Sequence, residues 1–241
     1  MKRNSHPTPL LRSWRALLLG LCLLPGLALA DVISTGTTTT TVGGTTTTTA
    51  AVQPLNAGAG WSLLGNGLTA STITVADSFA DAGTVNTVWK WDAAQVRWLF
   101  YAPSMDAATL QSYTASKGYG ILSAIAAGEG YWLNTKAAKD FGARSGASPY
   151  TISGASLNPG WTLVATGNNL TPAAFISSLG VSVTTLWAWD NASSKWFFYA
   201  PSLAAQGGTV LFDYTQSKGY LDFAQQNRTL GNGQGFWINK P

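Results

Sequence analysis

The chain has 241 residues, of which 46% are hydrophobic and only 10% charged, with 14 Lys and Arg against 10 Asp and Glu. Its one His (His6) and one Cys (Cys22) both lie within the first 30 residues, so the rest can build neither a Ser-His-Asp nor a Cys-His centre, nor a usual zinc site. The formal charge of +4 is equally local: without Lys2, Arg3, Arg12 and Arg15, ten basic residues face ten acidic ones, and no electrostatic reason remains to bind nucleic acid or anionic lipid.

Residues 1–30 read as a signal peptide. Lys2, Arg3, Arg12 and Arg15 form a basic beginning, Ala16 to Leu27 is mostly apolar, and Ala28-Leu29-Ala30 is a small-x-small cleavage site. The expected product is secreted, periplasmic or on the cell surface, with no membrane span and no disulfide. Residues 31–54 follow as a Thr-rich tract, with runs at 37–41 and 45–49 and no apolar alternation. That composition is expected to be a flexible linker, with an O-glycosylated stalk as the alternative.

The remainder is organised around a duplication. Trp89-Lys-Trp-Asp-Ala-Ala-Gln-Val-Arg-Trp-Leu-Phe-Tyr-Ala-Pro-Ser104 returns 98 residues later, without a gap, as Trp187 to Ser202, with ten of sixteen positions identical. Gly60-Trp61, Ser116-Lys117-Gly118-Tyr119 and Gly130-Tyr131-Trp132 recur as Gly160-Trp161, Ser217-Lys218-Gly219-Tyr220 and Gly235-Phe236-Trp237. These landmarks divide the chain into modules at 55–141 and 155–241, joined by a linker at 142–154. Matched landmarks imply that each module folds around its own core. Two units of this size cannot close a propeller.

Within each module the alternation Trp89, Trp91 then Trp98, Phe100 predicts a two-stranded hairpin with Asp92 at its turn, and Pro103 stops the second strand. Helices are expected at about 73–82, at 106–117 ended by Gly118, at 172–179 with Thr171 as N-cap and Pro172 in its first turn, and at 210–218 ended by Gly219. The fold class is therefore α+β: two tandem copies of a small β-rich unit with a Trp-rich hairpin and two short helices each. The tryptophan face of the hairpin is expected to be the core of each module. The opposite face, with Tyr101 beside Arg97 and Tyr199 beside Lys195, is expected to be the wetter one or to lie beneath the helices.

Little in this pattern points to catalysis. Asp92 with Asp190 is the one acidic pair that recurs between copies, and both read as turn residues. Glu129 is replaced by Gln234 in the second copy, and Asp77, Asp81, Asp106 and Asp222 have no acidic counterparts. No calcium loop of the D-x-D-x-D-G type is present. No catalytic, cofactor-binding or metal-ligating residues are assigned. Candidate ligand-binding residues are Tyr101, Tyr199, Arg97, Lys195, Lys117 and Lys218; for the two lysines, a favourable place at a helix C-terminus is the plainer reading.

Together these motifs resemble a module found singly or in tandem in secreted and surface-associated bacterial proteins. The resemblance covers nearly all of 55–241 and implies location and architecture rather than a chemistry. The expected function is a secreted, non-catalytic binding or adhesion protein whose partner is a polysaccharide or another surface protein. A structural surface component and a glycan-acting hydrolase are the alternatives. Secreted material is expected to begin at Asp31, which N-terminal sequencing checks; an intact Met1 outside the cytoplasm would contradict the signal-peptide reading.

Overall fold

A computed structural model of the chain describes residues 39–42, 45–48, 51–146 and 148–241. The expected signal peptide, 1–30, lies outside the described residues. In the Thr-rich tract, strand β1 (Thr39–Val42) pairs antiparallel with β2 (Thr45–Thr48) in the register Thr39↔Thr48 to Val42↔Thr45. The linker expectation is corrected there. Threonine is β-branched and suits an extended, paired backbone.

The linker boundaries need correction as well. Strand β3 (Ala51–Ala57) takes in residues assigned to the first linker, and later in the chain β11 (Lys139–Gly146) takes in residues assigned to the second; the two pair antiparallel. Gln53 is fully buried, giving its Nε2 to the Gly65 carbonyl at 2.6 Å while its Oε1 accepts from the Gly67 amide at 2.8 Å. Ile152, also placed in the second linker, is buried in an apolar cluster. These segments read as linker because their apolar residues are sparse, yet their backbone and amide groups find partners across the fold.

Two five-stranded sheets carry the structure. The first contains β4 (Gly60–Gly65), β6 (Val85–Asp92), β7 (Arg97–Tyr101), β8 (Gly120–Ile121) and β10 (Gly130–Thr135), in the spatial order β4-β10-β6-β7-β8. The short strands β5 (Ile73–Thr74) and β9 (Ala124–Ile125) pair beside it. The second contains β12 (Gly160–Ala165), β13 (Thr185–Asp190), β14 (Lys195–Tyr199), β15 (Leu221–Asp222) and β16 (Gly235–Lys240), in the order β12-β16-β13-β14-β15. Matched strands occupy matched places, and in both sheets only the last pair is parallel.

Five α-helices lie among the described residues: α1 (Val75–Ser78), α2 (Ala107–Lys117), α3 (Pro172–Leu179), α4 (Pro201–Ala204) and α5 (Val210–Lys218). Asp106 caps α2 by accepting from the Thr109 amide, and Thr171 caps α3 through the Ala174 amide. Gly118 and Gly219 close α2 and α5 in the left-handed region, both at φ 72°. The helix expected over 73–82 shrinks to α1, because Ile73 and Thr74 are taken up by β5. The chain is thus β-rich with a few short helices.

The hairpins form in the expected register, with Trp89 opposite Phe100 and Trp91 opposite Trp98, and in the second half Trp187 opposite Phe198 and Trp189 opposite Trp196. Their faces, however, are not covered as expected. The face bearing Val88, Leu99 and Tyr101 packs on an aliphatic cluster of the first half that includes Ile73, Phe79, Ile125, Tyr131 and Leu133. Tyr199 packs on the corresponding cluster of the second half, a mixed aliphatic and aromatic set with Phe175, Leu186, Phe197 and Phe236. The faces expected to be the wetter ones or to lie beneath the helices are thus covered at Tyr101 and Tyr199 and exposed at Arg97 and Lys195. The tryptophan faces meet one another instead, in one cluster built on Leu63, Leu163 and Trp237 and drawn from both halves.

Contacts across this seam are reciprocal. Trp91 Nε1 donates to the Trp161 carbonyl at 2.9 Å, and Trp189 Nε1 donates to the Trp61 carbonyl at 3.0 Å. Trp237 meets Trp91 and Trp98 at 6.3 and 5.8 Å between ring centroids; Trp132 meets Trp189 and Trp196 at 5.9 and 5.7 Å. The sheet corners touch backbone to backbone: Gly65 N donates to Gly233 O, and Ala165 N to Gly128 O. A Cβ at Gly235 would stand 2.2 Å from the Leu64 carbonyl oxygen, so a side chain there would force the halves apart.

Each half contains an apolar cluster of its own, whereas the tryptophans form one cluster that the halves share. Trp237→Ala is expected to cost about 3–5 kcal/mol and to lower a single calorimetric transition spanning both halves. Two separate transitions, only one of them shifted, would show that the seam does not couple them.

Candidate functional site

Asp92 Oδ1 accepts from the amides of Ala94 and Gln95, and Asp190 Oδ2 accepts from the amide and hydroxyl of Ser193. Both carboxylates hold their hairpin turns, as their positions predict. Each turn carries a non-glycine residue in the left-handed region, Val96 at φ 50° and Ser194 at φ 52°.

The six residues singled out in the sequence separate into two sets. Tyr101 and Tyr199 are half-buried against the apolar clusters of their own halves. Burial raises the pKa of both phenols, and the Asp77 charge raises that of Tyr101 further. Arg97, Lys195, Lys117 and Lys218 are exposed. The guanidinium of Arg97 lies over β8, where a Cβ on Gly120 would be 3.4 Å from its Cζ. Arg97 and Tyr101 do not form the joint surface that alternation suggested, because Leu99 lies between them and the tyrosine turns inward.

Aromatic residues with partial exposure collect elsewhere, once in each half. Trp89, Phe100, Tyr113 and Tyr119 pack together beneath α2, with Trp89–Tyr119 at 5.2 Å and Phe100–Tyr113 at 5.1 Å. Trp187, Phe198, Tyr214 and Tyr220 repeat the arrangement beneath α5, at 5.0 and 5.1 Å for the matching pairs. Trp89, Tyr113, Tyr119 and their counterparts are half-buried, whereas Phe100 and Phe198 are buried. Lys218 Nζ lies 5.9 Å from the centre of the Tyr214 ring, and Lys117 occupies the matching last turn of α2. Sequence reasoning noted Ser-Lys-Gly-Tyr only as a landmark and gave Tyr119 and Tyr220 no role. The signal was present: the same tyrosine follows the helix-ending glycine in both copies.

One feature has no counterpart in the second half's sequence. Lys90 Nζ contacts Glu129 Oε2 at 2.6 Å, and the same oxygen accepts from the Ala126 amide at 2.7 Å. The matching positions hold Ala188 and Gln234. This ion pair borders a cleft of about 360 Å³ between the first hairpin turn and the segment entering β12. Among the described residues, no three His, Cys, Asp or Glu side chains come together as a metal site, and no helix is long and apolar enough to cross a membrane.

In comparisons with known proteins no family model matches the chain, and no curated protein and no solved structure proves significantly similar to it.

The two half-buried phenols provide a pH test. An unfolded phenol ionises near 10.0, whereas Tyr101 and Tyr199 hold their protons to higher pH in the folded chain. Their stabilising contribution is whole below that value and falls as the pH climbs above it. Melting temperature should therefore drop more steeply above pH 10 in the wild type than in a Tyr101→Phe/Tyr199→Phe variant. Identical slopes would contradict the assignment.

Proposed function

We propose that the chain is a duplicated unit acting as a secreted, non-catalytic binding protein, with polysaccharide as its partner. The supporting observation is the pair of partly exposed aromatic clusters, Trp89/Tyr113/Tyr119 and Trp187/Tyr214/Tyr220, each closed on a buried phenylalanine, with nearly equal ring distances for the matching pairs. Aromatic rings present flat apolar surface that suits the C–H faces of sugar rings, with tyrosine hydroxyls at hand for sugar hydroxyls. A chain with few net charges selects for neutral polymers over anionic ones. Two equal sites on one chain gain from multivalency wherever a polymer spans both. The resemblance to secreted and surface-associated bacterial modules accords with this reading, as does the signal peptide expected from residues 1–30.

Retention of the full chain on immobilised neutral polysaccharides, screened as an array, tests the proposal. Loss of one ring contact is worth about 0.5–1.5 kcal/mol, so Tyr119→Ala or Tyr220→Ala alone should weaken retention several-fold. The double variant should lose the multivalent gain as well, by far more than either single change. Equal retention of wild type and double variant would exclude these clusters as the binding surface.

A further inference from the structure

Each half is one unbroken stretch of chain. Ser148 still belongs to the first half, where its carbonyl accepts from the Thr69 amide, and Ile152 already lies in the second half's core. Between them Tyr150 is bonded to both, its amide donating to the Gly67 carbonyl and its carbonyl accepting from the Gly167 amide. The seam thus joins two contiguous pieces through a short connection. Its contacts repeat about an approximate two-fold. Gly65 N to Gly233 O is matched by Ala165 N to Gly128 O, and Leu64 bridges to Gln234 as Val164 does to Glu129. A two-fold surface of this kind could in principle pair a half with its own kind. Differences between the halves decide against that. A Cβ at Gly65 would stand 2.3 Å from the Ala165 Cβ and 2.8 Å from the Gln234 carbonyl oxygen. Two second halves would set alanine on alanine there, far inside the roughly 3.5–4.0 Å at which carbon atoms pack. Gly58 makes room for Asn191, whose Nδ2 lies 1.9 Å from where a Cβ at 58 would be, and the second half carries Asn158 at that position. Two first halves would set Gly65 on Gly65 and Gly58 on Ala93, and would lose the contacts that Ala165 and Asn191 supply.

We infer that the tryptophan seam is a docking surface between unlike halves whose further partner is a second copy of this chain: in a dimer, each chain's first half takes the other chain's second half. Trp91 then donates to the Trp161 carbonyl of the second copy, and Trp189 to its Trp61 carbonyl, in place of the same bonds within one chain. All seam contacts are re-formed with identical residues, so the exchange gives up only the bonds around Tyr150 and the independence of the two chains. The stretch from Ser148 to Ile152 reaches roughly 14 Å when fully extended, so the two seams of the dimer lie close together. Such a dimer doubles the number of aromatic clusters on one particle and gains further from multivalency. That gain rests on the proposed binding function, whereas the pairing of the halves does not.

Cross-linking of the full chain tests this, in a Cys22→Ala background that leaves no native thiol. The Asn191 Cγ lies 3.2 Å from where a Cβ at 58 would be, so a sulfur in its place is within disulfide reach. The double variant Gly58→Cys/Asn191→Cys should therefore close a bond within one chain when refolded dilute. Chains carrying Gly58→Cys alone and Asn191→Cys alone are then mixed, unfolded in denaturant, refolded together at low and high concentration, and oxidised. A linked dimer of one chain of each kind, identified by mass, should form and grow with concentration. Wild type refolded in the same way should show a dimer in sedimentation that persists on dilution, because reversal requires the seam to open. A mixture of Asn158→Cys with Asn191→Cys, which reads pairing of two second halves, should stay unlinked. No linked dimer from the first mixture, or a wild type that stays monomeric at every concentration, would overturn the exchange. Linkage in the Asn158→Cys mixture would overturn the pairing of unlike halves, and a double variant that folds without closing would overturn the corner contact. Polysaccharide retention by the monomer reads the proposed function separately, so either can fail without the other.

Discussion

Two hydrogen bonds set the terms for this structure: Trp91 Nε1 to the Trp161 carbonyl, and Trp189 Nε1 to the Trp61 carbonyl. A buried indole N–H is costly unless it finds an acceptor. Here each acceptor comes from the edge strand of the opposite half, so satisfying one half's tryptophan requires the other half to be in place. The edge-to-face ring contacts around Trp132 and Trp237 then fill the seam between those bonds. The outcome is a pair of sheets whose aromatic faces serve as each other's cover.

This seam explains how a chain whose described residues contain no disulfide and few ion pairs holds together. Each half has an aliphatic cluster on one side of its sheet, and each sheet still has a second apolar face to remove from water. Solvent-facing tryptophans would make a large exposed patch. Mutual burial removes that patch, and small residues at the corners permit the approach. Gly65 against Ala165 and Gly235 against the Leu64 carbonyl leave no room for larger side chains. Gln53 and Asn232 then tie β3 to both halves, through the Gly65 and Gly67 backbone on one side and the Val52 carbonyl on the other.

The symmetry also separates structural residues from functional candidates. Positions alike in both halves serve the seam, the hairpin turns or the helix ends. The aromatic clusters beneath α2 and α5 are alike as well, and they are the repeated surface that we propose for binding. Lys90 and Glu129 break the pattern on one side only, where their ion pair borders a cleft.

Much of the local structure was legible in the sequence. Asp106 and Gly118, Thr171-Pro172 and Gly180 mark helix ends through hydrogen bonds and backbone conformations that involve only near neighbours. The alternation of Trp89, Trp91, Trp98 and Phe100 sorts the hairpin into two faces by strand geometry alone, and the duplication fixes the matching of the halves. What alternation cannot assign is the cover on each face, since that depends on residues distant in sequence, from the same half for the tyrosine faces and from the other half for the tryptophan faces. The tertiary structure therefore decided that Tyr101 and Tyr199 point into apolar clusters, that the tryptophans join the halves, and that Gln53 is buried in a segment that reads as linker. It decided the close approach at the seam for the same reason: Gly65 and Ala165 are ordinary strand residues until the seam sets them face to face.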